Sequence, residues 1–460
     1  MAKLKYISPQ IELLTSSNAG KHNLIDIIQT SDWADLEFDV QALVKEFGSP
    51  LFILSEEVLR ARYRNFRDTF TAPGIETIIA YSYKTNYLPA VCSILHEEGA
   101  WAEVVSGMEY TLARALGVPG ENIVFNGPYK TREEIERAIY DNALINIDGF
   151  DELSLIEKIA KELSVAAKIG LRINYKNGFN AWTKFGFNSE KNEALEALKI
   201  VKKAGQDVLH LQALHNHGGT FQVQPKVYGH TVKILGKVAK QARSLGLSPQ
   251  CIDIGGGYPS TNVLKPAFDT KDNYTLDGAY LKPYAEEIIG QFGKVKKQFA
   301  DQPVLIMEPG RAIVDAAVRL ASTVVSIKNI AGEGPAAILD AGVNILPTAY
   351  WYNHKIQSTG ETSSIIGNKK TYALYGPLCM QIDKLRDKIT LPEMNGGDVL
   401  IIDNVGAYCQ TQSMQFIQPR PATILLGING PELIRKKESW GDVFNLDLIP
   451  NRLRSDKCNF

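Results

Sequence analysis

The sequence offers little support for disulfides, metal clusters, membrane insertion or nucleic-acid binding. Its five cysteines among 460 residues are scattered and form no Cys-x-x-Cys pair, so neither a disulfide framework nor a zinc site is indicated. Acidic and basic side chains balance, 51 against 50, and the formal net charge of −1 gives no electrostatic basis for binding nucleic acid or an anionic membrane. No uncharged apolar run approaches the about 20 residues of a membrane span.

The N-terminal residues 1–10 lack the apolar stretch of a secretory signal peptide. Together with the sparse cysteines, this predicts a cytoplasmic protein in a reducing compartment. Hydrophobic residues make up 45% of the chain, which is ample for a sizeable core. The length predicts about two structural units.

Short β-forming runs alternate with helical segments through the first two thirds of the chain. An amphipathic segment comes first, with Leu59, Tyr63 and Phe66 at helical spacing. Alternating strands and helices predict parallel strands with crossover helices, and a count of eight each predicts a (β/α)8 barrel. A doubly wound open sheet is the alternative. The strand candidates are residues 77–83, 102–106, 122–126, 144–148, 168–174, 209–217, 251–256 and 304–308.

After Arg311 the pattern changes to runs rich in Val, Ile, Thr and Tyr without intervening helical periods. This change predicts a second, all-β domain. The apolar segment 50–54 is expected to supply one of its strands from the N-terminal side. We therefore expect an N-terminal segment 1–54 that contributes to the β domain, a barrel over residues 55–315 and a β domain over residues 316–460. The β-forming runs are residues 318–327, 336–340, 371–375, 398–402 and 422–426.

Reactive side chains follow the predicted barrel strands where active sites lie in this fold, at the carboxyl ends. Lys84 follows the first strand, and a primary amine there can form a Schiff base with a carbonyl cofactor. Because all carboxyl ends meet at one mouth, we expect these side chains to converge. The later strands end in Glu103, Arg172, His215 and His217, Asp253 with Gly255, Gly256 and Gly257, and Glu308 with Arg311.

The glycines after the seventh strand lie where barrels commonly bind phosphate, and their N–H groups can cradle it. Arg311 can add a charged fork to the same phosphate. Glu308 is an acid that can hold a pyridinium nitrogen protonated, although it could instead form a salt bridge with a nearby arginine. His217 could lie flat against an aromatic ring.

An amine nucleophile, a phosphate pocket and a cation-holding acid together are what pyridoxal 5′-phosphate requires. A Schiff-base aldolase acting on a phosphorylated sugar would need a similar set, but it explains neither Glu308 nor the second domain. A zinc site is a further alternative. His215 and His217 would share one strand face, yet no clear third ligand accompanies them.

These motifs give the chain a resemblance to pyridoxal-phosphate enzymes with an alanine-racemase-like barrel, in particular the diaminopimelate and ornithine decarboxylases. The resemblance covers roughly residues 50–426. The motifs that carry it occur in the family's order: Lys84 before Thr-Asn, Val104-Val105-Ser106-Gly107, Lys184-Phe185-Gly186-Phe187, His217 to Thr220, Asp253 to Gly257, Glu308 to Arg311, Gly376-Pro377-Leu378-Cys379, and Gly406-Ala407-Tyr408.

The resemblance implies a role for each matching residue. Lys84 would carry the cofactor, His217 would stack on its ring and Glu308 would pair with the ring nitrogen. Cys379 would reach into the barrel of a partner subunit of a homodimer and return a proton to Cα, with Asp383 on the same loop. The phosphate would be held by Gly255, Gly256, Gly257, Arg311 and Tyr408, with Thr220 nearby.

Departures from the family bear on the substrate. Met380 stands where both decarboxylases usually place an acid for the distal ammonium, and Asn353 stands where ornithine decarboxylases carry a second acid. No arginine for a distal carboxylate stands at residues 346–348. Because a buried ammonium without a carboxylate partner is costly, we expect a substrate other than free diaminopimelate, ornithine or lysine. Glu103 stands where an aspartate is usual, and Arg172 is a further pocket candidate.

The expected reaction is decarboxylation of an amino acid or an amino-acid conjugate, as in specialised metabolite or siderophore pathways. The substrate amine would displace Lys84 to form an external aldimine, CO2 would leave and Cys379 would protonate Cα. Alternatives are an amino-acid racemase, which Glu308 disfavours, and a diaminopimelate decarboxylase with an altered distal pocket. A silent regulatory homologue is disfavoured because Lys84 and Cys379 are both present.

Overall fold

The computed structural model describes residue 33 and residues 38–176, 184–265, 280–359 and 368–454. Most of the predicted N-terminal segment, residues 1–32 and 34–37, therefore lies outside the described residues. Within them, no helix is long and apolar enough to cross a membrane.

Eight parallel strands close into a barrel, which confirms the predicted (β/α)8 fold. Each strand pairs with the next along the chain, and the last, β11, returns to pair with the first, β2. A two-residue strand β7 (Phe187–Asn188) adds to the edge of β6. The barrel strands are β2 (Glu76–Ser82), β3 (Trp101–Val104), β4 (Ile123–Phe125), β5 (Leu144–Ile147), β6 (Ala167–Asn174), β8 (Leu209–His215), β9 (Cys251–Asp253) and β11 (Val304–Met307).

A ring of helices covers the barrel. The leading helix, α2 (Glu56–Thr69), begins at Ser55, whose hydroxyl accepts the N–H of Val58. Its buried residues recur at helical spacing, so one face packs on the barrel. A short helix α1 (Val40–Phe47) precedes it. The other barrel helices are α3 (Pro89–Glu97), α4 (Gly107–Ala115), α5 (Arg132–Tyr140), α6 (Phe150–Leu163), α7 (Glu193–Ala204), α8 (Pro225–Ser244) and α9 (Lys282–Val295).

The second unit is a nine-stranded mixed sheet. The N-terminal strand β1 (Leu51–Ser55) lies inside this sheet, antiparallel to β12 and parallel to β19. Along the chain, β1 thus belongs to the β sheet, the barrel follows it, and the later strands return to the same sheet. Short elements accompany these two units: β10 (Val263–Leu264), β14 (Tyr352–Asn353), α10 (Arg311–Val314) and α11 (Trp440–Phe444). The other sheet strands are β12 (Val318–Ile330), β13 (Gly334–Leu339), β15 (Ile356–Ser358), β16 (Lys369–Tyr375), β17 (Lys384–Pro392), β18 (Val399–Ile402), β19 (Ala422–Gly427) and β20 (Gly430–Arg435).

The barrel interior has an apolar floor beneath a polar layer. Side chains alternate along a strand, so residues two apart point to the same side. Val124 packs in the floor, and Asn126, two residues on, hydrogen-bonds across the barrel to Glu308. The polar side chains are thereby gathered at the carboxyl-end mouth of the barrel. The floor residues are Ala80, Val124, Leu144, Ala213, Cys251 and Ile306.

We predict that Ile53→Ala destabilises the protein by about 3 kcal/mol, because truncating a buried isoleucine leaves a cavity. Ile53 is fully buried in β1, whereas Ile428 is 97% exposed at the β19–β20 turn. Ile428→Ala is therefore the matched control and should change stability by less than about 0.5 kcal/mol. Urea unfolding followed by circular dichroism measures both. Equal effects would show that β1 is not part of the folded sheet.

Candidate active site

The mouth of the barrel holds a buried layer of polar side chains. Hydrogen bonds across the barrel interior, such as Asn126 to Glu308 and Asn146 to Asp253, show that these side chains point inward. The structure thus brings together the residues that the sequence predicted at the strand ends, and adds two asparagines to them. The layer consists of Glu103, Asn126, Asn146, Arg172, His215, Asp253 and Glu308.

Lys84 lies at the edge of this layer, in a single 3-10 turn directly after β2. Its Nζ donates to Glu103 Oε2 at 2.5 Å. Burial lowers the pKa of the Lys84 amine, but the carboxylates of Glu103 and Glu308 outweigh burial and raise it above the ordinary value. The amine is therefore held in place by charge before it meets a carbonyl group.

Glu308 directly follows β11 and is almost completely buried. It accepts a hydrogen bond from Asn126 Nδ2 at 2.6 Å, and His215 Nε2 lies 3.6 Å away. Burial opposes its ionisation, but the charges of His215 and Lys84 prevail and hold the pKa of Glu308 below its usual range. Glu308 therefore stays ionised, which is the state that can pair with a cationic ring nitrogen.

The pKa of Asp253 shifts in the opposite direction from that of Glu308. Burial and the nearby Glu308 carboxylate raise the pKa of Asp253 well above its usual value. Its two oxygens accept the N–H of Gly255 at 3.0 Å and the amide of Asn146 at 3.2 Å. Two carboxyl groups this close do not both ionise, so Asp253 is the neutral member of the pair and Glu308 the charged one.

The donor atoms of His215, Asp253 and Glu308 lie within 4.8 Å of one another, close enough to hold a metal ion. His217, which the zinc alternative paired with His215, is not part of this group. Its Nδ1 instead accepts the N–H of Gly256 at 2.9 Å, which fixes the imidazole. Burial, with the positive charges of Lys84 and Arg172, lowers the pKa of His217 to about 3, so the ring is neutral.

The glycine turn after β9 tolerates no side chain. Gly255 and Gly257 have φ of +65° and +91°, and a Cβ on Gly257 would lie 2.1 Å from the Gly219 carbonyl oxygen. The N–H groups of Gly255 and Gly256 already donate to Asp253 and His217. That these three glycines hold a phosphate stays a prediction, and Gly257 is the one whose N–H takes no part in these two bonds.

Arg311 is the first residue of α10, and its side chain is buried. Its guanidinium carbon lies 5.0 Å from the ring centres of Tyr352 and Tyr408 and 5.7 Å from that of Phe221. Among the described residues, its buried Nη1 has no hydrogen-bond partner, and Asp315 Oδ2 is 3.6 Å away. A caged cation with a spare N–H suits an anionic group such as a phosphate, so this observation fits a phosphorylated cofactor.

A loop of the β domain closes over Lys84. Tyr408 adopts φ of +67°, and its N–H donates to the carbonyl of Thr85 at 2.8 Å. The neighbouring Ala407 N–H donates to Asp315 Oδ1 at 3.0 Å. The Tyr408 ring is thereby fixed at the barrel mouth, where the sequence predicted it.

Cys379 lies on the turn between β16 and β17 and is exposed. Asp383, predicted as a pocket residue, is buried, and its carboxylate oxygens accept the N–H groups of Val343 at 2.8 Å and Leu378 at 2.7 Å. Burial raises the pKa of Asp383. Through these two bonds Asp383 shapes the turn that presents Cys379, and its role in a substrate pocket stays a prediction.

The other pocket candidates are spread around the mouth. Arg172 lies 3.6 Å from Asp148 and over the ring of Phe185 at 4.3 Å, and burial lowers its pKa. Asn353 is half-buried in β14, where it pairs with Val263. Met380 is half-buried and Thr220 is exposed.

Thr348 lies within residues 346–348, where no arginine stands. The Thr348 hydroxyl hydrogen-bonds with His354 Nε2 at 2.9 Å and Cys409 Sγ at 3.0 Å. The buried side chains of Thr348, His354 and Cys409, joined by these hydrogen bonds, thus occupy this part of the structure.

Sequence reasoning missed Asn126, Asn146 and Asp315 as site residues. A signal for Asn126 was present, because it lies two residues beyond the inward-facing Val124. Asn146 has the same relation to Leu144. Asp315 carried no such signal, since its partners Ser260 and Ala407 come from distant parts of the chain.

Comparisons with known proteins identify the family. The family described as "Pyridoxal-dependent decarboxylase, pyridoxal binding domain" matches residues 56–315. The diaminopimelate decarboxylase of Methanocaldococcus jannaschii is 31% identical over 439 residues, covering 90% of this chain and 95% of the relative. The diaminopimelate decarboxylase of Bacillus subtilis is 28% identical over 426 residues, covering 89% and 94%.

A solved structure has the same architecture. The crystal structure of the M. jannaschii diaminopimelate decarboxylase aligns with a TM-score of 0.81 at 30% identity, over 91% of this chain and 96% of that one. The expectation that free diaminopimelate is not a substrate runs against the names of these relatives. With the buried lysine, acid and glycine turn described above, the matches show that this chain belongs to the fold-type III pyridoxal-phosphate-dependent decarboxylase family and is a carboxy-lyase.

Proposed function

We propose that this enzyme removes CO2 from Cα of an amino acid at the barrel mouth, with Lys84 and Glu308 as its central residues. The observation that carries the proposal is that the Lys84 amine and the buried Glu308 acid meet at one polar layer of the barrel mouth. Lys84 is held by Glu103 at 2.5 Å, and Glu308 stays ionised despite its burial. A racemase of this fold is expected to lack a strong acid at the ring nitrogen, so Glu308 disfavours that alternative.

Pyridoxal phosphate, when bound, supplies an electron sink for the electron pair left at Cα. Lys84 would hold it at its carbonyl carbon. Glu308 would keep a proton on the ring nitrogen, and the neutral His217 ring would lie against the cofactor without adding charge. Arg311, the Gly257 N–H and Tyr408 would hold the phosphate.

We further propose a homodimer in which the partner subunit's Cys379 completes each site and returns the proton to Cα. Support comes from the turn itself. Asp383 holds it rigidly through two backbone N–H groups, while the Cys379 thiol and the neighbouring Ile382, 70% exposed, point outward. An exposed, rigid, partly apolar turn suits insertion into another subunit.

Diaminopimelate is the first candidate substrate, because the relatives described above carry its name. The residues of this chain favour a second candidate, an amino acid whose distal end bears no free charge. Met380 offers no carboxylate for a distal ammonium. Thr348 is engaged with His354 and Cys409, where an arginine would otherwise meet a distal carboxylate. Burying an unpaired distal charge there would cost several kcal/mol.

We predict that Lys84→Ala abolishes the visible absorbance band of the bound cofactor and lowers CO2 release by more than about 10³-fold. Cys379→Ala should keep the band but slow formation of the amine product by about 10²-fold, because proton return is lost. Cys251→Ala, a cysteine of the barrel floor, is the control and should leave both readouts unchanged. Normal turnover in Lys84→Ala and Cys379→Ala would overturn the proposal.

Mixed subunits test the shared site. After Lys84→Ala and Cys379→Ala proteins are unfolded together and refolded, random pairing should restore roughly a quarter of the wild-type sites, since only mixed dimers join an intact Lys84 to an intact Cys379. Activity assays on the mixture and on each protein alone measure this. No recovery from a mixture that forms mixed dimers would show that Cys379 acts within its own subunit or not at all.

The substrate is tested by CO2 release from the cofactor-loaded protein. The panel contains diaminopimelate, lysine, ornithine, arginine, glutamate and citryl- or acyl-conjugated diamino acids. If the distal pocket is uncharged, a conjugate should exceed diaminopimelate in kcat/KM by about 10²-fold or more. Faster release from free diaminopimelate would establish the first candidate and remove the second.

A further inference from the structure

Asn126 joins the two acids on which the reaction depends. It directly follows β4 and is only 4% exposed. Its Nδ2 donates to Glu103 Oε1 at 3.0 Å and to Glu308 Oε1 at 2.6 Å. One amide group therefore uses both of its N–H bonds on two different carboxylates.

The orientation of this amide is set by a second asparagine. Asn126 Oδ1 accepts from Asn146 Nδ2 at 2.8 Å, and the same Nδ2 lies 3.2 Å from Asp253 Oδ2. Because the oxygen side of Asn126 is occupied by a donor, its NH2 group must face Glu103 and Glu308. A continuous series of hydrogen bonds thus links Lys84, Glu103, Asn126, Asn146 and Asp253, and Glu308 joins it at Asn126.

We propose that Asn126 is a positioning residue for decarboxylation, which holds the carboxyl groups of Glu103 and Glu308 through one amide and aims one at Lys84 and the other at the cofactor's ring nitrogen. The inference deepens the proposed function and rests on it. Neither the family description nor the family resemblance assigns a role to this residue.

The physical need for such a residue is repulsion. Two carboxylates in one buried layer disfavour each other's charge, as the neutral state of Asp253 beside Glu308 illustrates. A shared donor stabilises both charged forms at once, and a hydrogen bond to an ionised acceptor is among the stronger kinds. Without Asn126, the two carboxyl groups would lose the donor that holds them side by side.

The length of Glu103 belongs to the same arrangement. One of its oxygens reaches Lys84 and the other reaches Asn126. The family aspartate at this position is one methylene shorter. Glu103 and Asn126 therefore form a pair in which the longer acid spans the gap between the amine and the amide.

Substitution of Asn126 should leave the fold intact. Its backbone N–H donates to the Val104 carbonyl at 2.8 Å, a bond that any residue except proline retains. The side-chain contacts are the part that a variant removes. A suitable control is Tyr110→Phe, which deletes the hydrogen bond from the Tyr110 hydroxyl to Asp141 beside the same strand but outside the mouth.

The test compares Asn126→Ala, Asn126→Asp and Tyr110→Phe by three measurements: the dissociation constant of pyridoxal phosphate, the pH midpoint of its visible band and kcat against KM. In Asn126→Ala, the Glu103 and Glu308 carboxyl groups lose their shared donor and can move away from the Lys84–cofactor bond, so the midpoint should fall by about one unit. In Asn126→Asp, a third carboxylate should raise it by about one unit. Both should lower kcat by about tenfold or more while KM changes less.

Asn146→Ala provides an independent variant, since it frees Asn126 to turn its amide over. It should shift the midpoint in the direction of Asn126→Ala, and it carries the test if an Asn126 variant does not fold. Tyr110→Phe should leave the midpoint, the cofactor affinity and kcat unchanged. If the Asn126 and Asn146 variants lost thermal stability but also kept all three values unchanged, the proposal would be overturned. The cofactor readouts need no turnover, so a protein that binds cofactor normally but releases no CO2 would refute the proposed function separately.

Discussion

The burial of three carboxyl groups in one layer of the barrel is the constraint around which the site is built. Glu103, Asp253 and Glu308 cannot all be ionised there without compensation. Burial and the neighbouring Glu308 raise the pKa of Asp253, while, against burial, the neighbouring His215 and Lys84 lower the pKa of Glu308. What results is a layer with one acid behind the ring site and one acid beside the amine.

Backbone groups also hold the residues around this layer. The glycine turn donates two N–H groups to Asp253 and His217, so the turn and the acid fix each other. On the opposite side, Asp315 holds the Ala407 N–H, and Tyr408 holds the Thr85 carbonyl. Through the loop that carries Ala407 and Tyr408, the β domain thus helps to position the residues around Lys84.

Strand order and alternation explain why much of this was predictable. All eight barrel strands and the β-rich character of the later residues follow from local patterns, because hydrophobic periodicity is a property of neighbouring residues. Lys84 and Glu308 were found because they stand at strand ends. The backbone bonds of Asp383 could not be predicted, since only the folded turn brings the N–H groups of Val343 and Leu378 to its oxygens.

The sequence by itself predicted the barrel, the β domain and the cofactor class, because hydrophobic period and the residues that follow each strand are local features. The tertiary structure alone decided that Asn126 bridges Glu103 and Glu308 and that donor atoms of His215, Asp253 and Glu308 lie within 4.8 Å of one another. Those properties depend on distances between residues up to 182 positions apart in the chain, which barrel closure, and no local pattern, brings within hydrogen-bonding range.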